Sequence, residues 1–521
     1  MRRPNLTPAL VVLALLSGCA RCGAPRGGPP PERFVPATNA GALVIPVVAE
    51  AARQSAALVS ALAARPGGDD LGRVRTGLAA QLGFDLLDPE SLKGAGLDVQ
   101  RGLAVAEVAT RPGEPGTPLL ILPAGDPGKL ETGLVKLAKE RLGATDRAEQ
   151  AAAGTTFTVW RRAAGEPALL SLAQAEGFLL VAIGPSGPGV LSVVLALDPA
   201  VSLAASPSWK RSRTALGDGS PLLVFLPRDA PALLDLPPTD GVAAGLSASG
   251  SGLRLAVAAM LGAQEPRVRP LAGPGDGSSL PSRLLPGTVV ALRLSADPVM
   301  ALRLASDQRG LPLIEPIAAM AAQLATPIEV GVGLSVRADL GGLMGGRMGA
   351  QPLKVARVEA VAGLKDPARF TAACDQLMAV MGAPPGKGTW AMGGADAEFA
   401  WAVQGTTVAF TAGAAGGLPP LLTRLKAGGR GFEPPPGMAG ALAGGLGGLV
   451  LHGDNLVAAL QALPPSAYGS GPDAVVGRSL VEKVIQTLGQ GAAVALRADL
   501  PEGALKLTLD LKLGAVTAPP R

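Results

Sequence analysis

Residues 242–261, VAAGLSASGSGLRLAVAAML, decide how this chain folds: runs of small and apolar residues at 242–249 and 252–260 flank a Gly-Ser pair. So short a connection joins only antiparallel neighbours, and the spacing predicts a hairpin. The pattern returns near the end of the chain at 492–513, AAVALRADLPEGALKLTLDLKL. Outward from these hairpins, further segments recur in the same order. GALVIPVV (41–48) matches PGTVVALRL (286–294), and LLILPAGDPGKL (119–130) matches VEAVAGLKDPARF (358–370). TFTVW (156–160) matches EFAWA (398–402), EGFLLVAIG (176–184) matches QGTTVAFTA (404–412), and PLLVFL (221–226) matches GGLVLH (447–452). An ordered series with related spacing predicts an internal duplication. The copies span 39–262 and 286–515, joined by a Pro/Gly/Ser-rich linker at 263–285 and followed by a short tail, 516–521.

Each copy mixes periods. Apolar runs suggest strands, while 51–64, 129–142, 317–324 and 479–488 carry helical spacing. Asp126-Pro127 and Asp366-Pro367 stand at equivalent helix starts, where the carboxylate accepts from free amides and proline lacks the donor that would go unpaired. The expected class is α+β: largely antiparallel sheets with helices packed on one face. The uncharged stretches 177–197 and 399–423 are interrupted by GPSGPG and AGAAGGLPP, so each reads as strand, turn and helix and not as a membrane span.

Composition narrows the chemistry. The chain has 521 residues, 48% of them apolar, enough for a sizeable core, but only 17% are charged and 3% aromatic, with one His and three Cys. Sites built on several imidazoles, thiolate clusters or base-stacking aromatics are therefore excluded. No Lys/Arg block is long enough to track phosphates, so nucleic acid is not an expected partner.

The start of the chain is an address. Arg2 and Arg3 precede a short apolar run, 9–16, too short to span a bilayer, and then Leu16-Ser17-Gly18-Cys19. This tetrad resembles the lipobox of bacterial lipoproteins. The resemblance implies that 1–18 is a signal peptide, that Cys19 receives acyl chains and becomes the first residue, and that the mature chain is held at a membrane. Residues 19–38, rich in Pro and Gly, then read as a tether. In that family an Asp directly after the cysteine often marks inner-membrane retention; Ala20 departs from it, which favours the outer membrane with a periplasmic ectodomain.

The first copy resembles a bacterial envelope domain family of unknown function. The likeness rests on LGFDLLDP (82–89), LAVA (103–106), the Asp126-Pro127 start, GFLLVAIG (177–184) and ASPSWKRSR (205–213). It covers about residues 40–260, more faintly 286–513, and implies no activity and no site residues.

Candidate chemistry is sparse. His452 is the one imidazole, in Leu-His-Gly-Asp, with no Gly-x-Ser-x-Gly elbow to supply a nucleophile, and its equivalent in the first copy is Leu226; a structural histidine at a strand end is expected. Gly386-Lys-Gly-Thr389 lacks the spacing of a phosphate loop. The Gly-rich runs 341–349 and 440–448 lack the context of a dinucleotide site, and read as loops or close backbone packing. Asp69-Asp70 and Asp85/Asp88 lack calcium-loop spacing. Cys22 and Cys374 are the remaining thiols, Cys374 expected to be buried in a helix. No catalytic, cofactor or metal residue is assigned; Cys19 is the one modified position. The expectation is a non-enzymatic, lipid-anchored envelope module that binds an unidentified envelope protein, or alternatively carries an apolar ligand such as lipid in a cleft between the copies.

Overall fold

The computed structural model describes residues 28–515, apart from 66–67, 112–113, 218, 228–238, 250–251, 263–264, 272–282, 310–314, 335–355, 387, 395–396, 414–415, 429–430, 444, 465–466, 468–474, 476–477, 480, 484 and 486–489. The signal segment, Cys19, Cys22, the Gly-rich run 341–349 and most of the linker lie outside the described residues, as does part of 479–488. The chain forms two units: Met1–Gln264 with Pro501–Lys506, and Glu265–Leu500 with Leu507–Arg521. The first unit thus takes residues from the last hairpin: Ala504 sits in its core, and the Leu261 amide donates to the Gly503 carbonyl at 2.9 Å.

The class is α+β. In the first unit the strands are β1 (Gly41–Ile45), β2 (Leu103–Val108), β3 (Thr117–Pro123), β4 (Asp146–Ala152), β5 (Thr155–Arg161), β6 (Leu170–Ala175), β7 (Phe178–Ile183), β8 (Leu222–Pro227), β9 (Gly241–Ser249) and β10 (Gly252–Met260). They pair antiparallel in the order β4–β5–β6–β7–β3–β2–β1–β8–β9–β10. The hairpin of the opening sequence is β9–β10, in register from Gly252↔Ser249 to Ala259↔Val242. The helices are α1 (Val48–Ala63), α2 (Asp69–Leu82), α3 (Pro89–Gly94), α4 (Pro127–Leu142), α5 (Gly187–Leu195) and α6 (Pro207–Leu216).

The second unit contains β11 (Val290–Leu294), β12 (Leu324–Leu334), β13 (Ala356–Leu364), β14 (Thr389–Gly394), β15 (Ala397–Gln404), β16 (Thr407–Gly413), β17 (Gly447–His452), β18 (Ala493–Asp499) and β19 (Ala504–Lys512), the last beginning in residues that group with the first unit. Its helices are α7 (Pro298–Arg309), α8 (Glu315–Gln323), α9 (Pro367–Val380), α10 (Leu418–Ala427) and α11 (Gly453–Gln461). Its pairings run β14–β15–β16–β13–β12–β11–β17–β18, antiparallel throughout. Among the described residues this is the order of the first unit without a counterpart of β4. By sheet position β5 therefore answers to β14, so the sequence match of 156–160 with 398–402 is displaced by one strand.

Helices cover both faces of the sheet, not one. On β1, Ala42 and Val44 join a core containing Val190 and Val194 of α5 and Trp209 of α6, while Leu43 and Ile45 join a second core with Val48 and Ala52 of α1 and Leu130 of α4. A strand buried on both sides has no polar alternation, which is why 178–183 reads FLLVAI without a break. The interrupted stretches fold accordingly: 177–197 into β7 and α5, 399–423 into strand followed by α10. Among the described residues no helix is long and apolar enough to cross a membrane.

Local signals explain the helix starts. Asp126 accepts from the Lys129 amide at 3.0 Å, and Asp366 from those of Ala368 and Arg369, each at 3.0 Å. Ser206 caps α6 with Pro207 in its first turn, and Trp209 one turn in is buried edge-on against Phe225, ring centroids 5.5 Å apart. The tether is shorter than its composition implies. Pro31–Phe34 forms a 3-10 turn, Phe34 packs edge-on against Phe178 at 5.6 Å, and Glu32 is buried with Arg213 3.7 Å away. Burial pushes the Glu32 carboxyl above its ordinary range against the pull of its backbone hydrogen bond and Arg213.

The second unit places carboxylates where the first is apolar. Glu329 and Glu359, each 1% exposed, lie on β12 and β13. Glu359 accepts from the Thr288 hydroxyl at 2.6 Å and the Leu285 amide at 2.9 Å; Glu329 accepts from Arg283 at 2.9 Å. Removing one member of such a set leaves the others buried without partners. Glu359→Ala is expected to lower the unfolding free energy of the second unit by about 3 kcal/mol, and Asp126→Ala that of the first by about 1 kcal/mol. Urea titration followed by circular dichroism measures both.

Candidate functional site

The sequence candidates fall into structural roles. His452 ends β17 and caps α11: its Nδ1 accepts from the Asn455 amide at 3.4 Å, so the ring proton sits on Nε2, and Phe432 packs edge-on against the ring with centroids 6.1 Å apart. Asp454, the possible orienting carboxylate, instead accepts from the Gly491 amide at 2.8 Å. Asp70 pairs with Arg73, Asp88 caps α3, and the side chain of Asp69 lies outside the described residues. Asp85 accepts two bonds from Arg75, at 2.7 and 2.9 Å, and one from the Leu87 amide. Burial raises its pKa, but those bonds and the guanidinium charge outweigh it and hold it below the usual carboxylate range. Among the described residues no group of three His, Cys, Asp or Glu side chains converges.

Gly386 heads a turn pinned by Asp375, which accepts from the Gly386 amide at 3.0 Å and from Trp390 Nε1 at 2.9 Å; Lys387 lies outside the described residues. A Cβ on Gly448 would overlap the Ala441 carbonyl, so that glycine serves close backbone packing. Cys374 is fully buried in α9, and burial pushes its thiol up to about 11, away from thiolate chemistry.

What the sequence reading missed is a hollow. In the first unit, α1–α4 stand off the face of β1–β3 and frame a half-open cavity of about 1140 Å³. Leu103, Val105, Leu120 and Leu122 form its floor, Leu78 and Leu82 of α2 one wall, Leu134 and Leu137 of α4 the other. The cause is thin packing of α2 and α4. Among its described side chains α2 buries none, and α4 buries only Leu130 and Ala138. The second unit has the corresponding helix, α9, seated through Phe370, Ala373, Cys374 and Met378, with Trp390, Trp401 and Phe410 filling the space beside it. A hollow of about 260 Å³ remains there.

One end of the large cavity is nearly free of side chains. Gly128, Thr132 and Gly133 on the first turns of α4 border it, and a Cβ on Gly133 would meet nothing within 4 Å. On the opposite flank of α4 a second depression, about 750 Å³, shares Gly128 and Thr132 with the first and is bordered by Lys136, Lys139, Arg147 and Trp160. The sequence signal for this region was present in LGFDLLDP (82–89), whose Leu82, Phe84 and Leu86 line the cavity, but apolar residues lining a hollow and apolar residues filling a core look alike in composition.

No family model matches the chain and no curated protein matches it by sequence, so the domain-family resemblance of residues 40–260 stands without a matching model. Solved structures of TP0453 are similar at low level. Crystal form IV is 13% identical, with a TM-score of 0.24, covering 46% of this chain and 84% of that one. Crystal form I is 14% identical, with the same TM-score of 0.24, covering 46% and 80%.

Burial lowers the His452 pKa from 6.5 against the opposing pull of Asp454. The unfolded chain therefore takes up the proton first as pH falls, and the cap contribution, full at neutral pH, is lost from about 6.5 downward towards the folded value. His452→Asn keeps a capping acceptor without titrating. Wild-type urea midpoints are expected to fall relative to this variant between pH 7.5 and pH 5.5, and His452→Ala to cost about 1 kcal/mol at pH 7.5.

Proposed function

We propose that the chain is a lipid-anchored envelope protein, without a catalytic step of its own, whose first unit carries an apolar ligand with a long acyl chain. The cavity of about 1140 Å³, walled by Leu side chains, is the observation that supports the reading. It lies just above the usual range of small-molecule sites, about 300–1,000 Å³. Interiors normally pack like organic crystals, and atoms facing a void lose their dispersion partners. An acyl chain restores them. At about 0.8 kcal/mol per buried methylene, a chain of some ten methylenes gains about 8 kcal/mol, enough to offset the lower estimates of association entropy; a short chain does not reach that.

The anchor reading rests on Leu16-Ser17-Gly18-Cys19, and the outer-membrane preference with a periplasmic ectodomain on Ala20. Both segments are read from sequence. Labelled palmitate is expected to enter the protein and to be lost in Cys19→Ala; a Cys19→Ala variant that fractionates unchanged would remove the anchor.

Native mass spectrometry of protein taken from its host membrane is expected to show a co-purifying lipid. Gly133→Trp places a ring at the open end of the cavity, at an exposed helical position where loss of Gly favours the helix. It is expected to retain wild-type unfolding and to lose the lipid. Bare wild-type protein would sink the carrier reading.

A further inference from the structure

We propose that the open edge of β14 in the second unit is a strand-addition site, which takes an extended segment of another polypeptide, uncharged and with large apolar side chains at alternate positions. The site lies in the second unit and is independent of the carrier reading.

Among the described residues β14 pairs only with β15, whereas its counterpart in the first unit, β5, pairs with β6 on one side and β4 on the other. The framework thus accepts a further antiparallel strand at this position. An edge strand presents unpaired amides and carbonyls, and proteins guard such edges with charge, proline or a bulge. β4, the edge of the first unit, carries Asp146, Arg147 and Glu149; TWAMGG of β14 carries neither charge nor proline. Gly393, at φ +107, ends the regular stretch, which leaves 389–392 as the pairing template.

The edge adjoins the hollow of about 260 Å³ beside α9. Met392 of β14 and Phe399 of β15, directly opposed, line it together with Leu377, Trp401 and Phe410. Phe399 is 46% exposed, a large aromatic side chain left partly in water on that face. Side chains of an added strand alternate between faces, and the one opposed to Met392 stands about 5 Å away, Cβ to Cβ, close enough to enter the hollow. Main-chain bonds along an edge give such recognition its affinity, and a pocket for alternate side chains its specificity. The lining offers no charge to pair with, so the inserted side chain is apolar. A second copy of this chain does not supply it: on that face of β14 its large side chains are Trp390, bonded to Asp375, and Met392, which lines its own hollow.

The test titrates the purified full chain, by fluorescence anisotropy, with a labelled and blocked heptapeptide that alternates threonine with valine and carries phenylalanine in place of the central valine. Replacing that phenylalanine by alanine is expected to weaken binding about tenfold or more. N-methylation of one alternate set of peptide amides is expected to abolish binding, and of the other set to spare it. Met392→Lys sets a charge on the edge, where lysine is tolerated, and is expected to weaken the peptide by a similar factor at an unchanged urea midpoint. In hydrogen exchange, the amides of 389–392 that face away from β15 are expected to exchange freely in the chain alone and slowly with peptide bound. Protection of those amides in the chain alone would mean that a segment of this chain already pairs there, and would overturn the site. Equal binding of the two N-methylated sets, or no binding of the parent peptide at millimolar concentration, would overturn it as well. A dimer in sedimentation that Met392→Lys dissociates would assign the edge to a second copy and overturn the foreign partner.

Discussion

Both units depend on sheets that are apolar on both faces and must be covered twice. Leu179 and Val181 of β7 look into one core, Phe178, Leu180 and Ala182 into the other, and all are buried. A layer of helices on each side is the only cover that satisfies such a strand without exposing a row of leucines. The quality of that cover differs between faces. In the first unit α5 and α6 close their side with Val190, Leu191, Val194 and Trp209, whereas α2 contributes no buried side chain among its described residues to the other side. The cavity is the consequence of a two-faced sheet with one face loosely roofed.

The units repeat one strand order and fill it differently. In the second unit the stack of Trp390, Trp401 and Phe410, with ring centroids 6.0 and 6.2 Å apart, occupies the space beside α9. Aromatic side chains bury large areas each, so a few suffice to close a gap that leucines leave open. On the opposite face the second unit invests in a buried polar set around Glu329 and Glu359, while the first uses Ala104 and Ala106. Two copies of a framework thus hold a packed aromatic core in one case and a hollow in the other.

Much of the framework was legible in the sequence because its signals are local. The β9–β10 hairpin, the Asp126 and Asp366 caps and the broken stretches at 177–197 and 399–423 each depend on residues close in the chain. What was misread depends on tertiary contact. TFTVW and EFAWA both look like strands with a tryptophan, but only pairing shows that β5 lies one place further from β3 than β15 lies from β13. Pro31–Phe34 has a tether's composition, and only the Phe178 ring makes Phe34 a core residue. His452 was legible as a structural residue from its isolation, though its capping bond to Asn455 was not. The cavity was illegible for a physical reason: Leu103, Leu120 and Leu134 have the same pattern whether a neighbour touches them or not.

Among the described residues the second unit has no counterpart of β4, so the two sheets end differently beside their helices. β4, DRAEQAA, alternates half-buried and exposed residues as an edge strand does, and it supplies the Arg147 that borders the depression beside α4, opposite Trp160. Without β4 the corresponding edge in the second unit is β14, where the indole nitrogen of Trp390 is spent on Asp375 in holding a turn. In the first unit the equivalent tryptophan, Trp160, stands opposite Arg147, which is paired with Glu149 of the same strand at 3.2 Å. An unpaired buried indole does not separate the units, since Trp160 and Trp401 each have one; the edge strand and the seating of the neighbouring helix do. The helix beside this edge differs as well: α4 buries only Leu130 and Ala138, whereas α9 beside β14 is seated through Phe370, Ala373, Cys374 and Met378, and the poorer seating of α4 is what leaves the larger hollow.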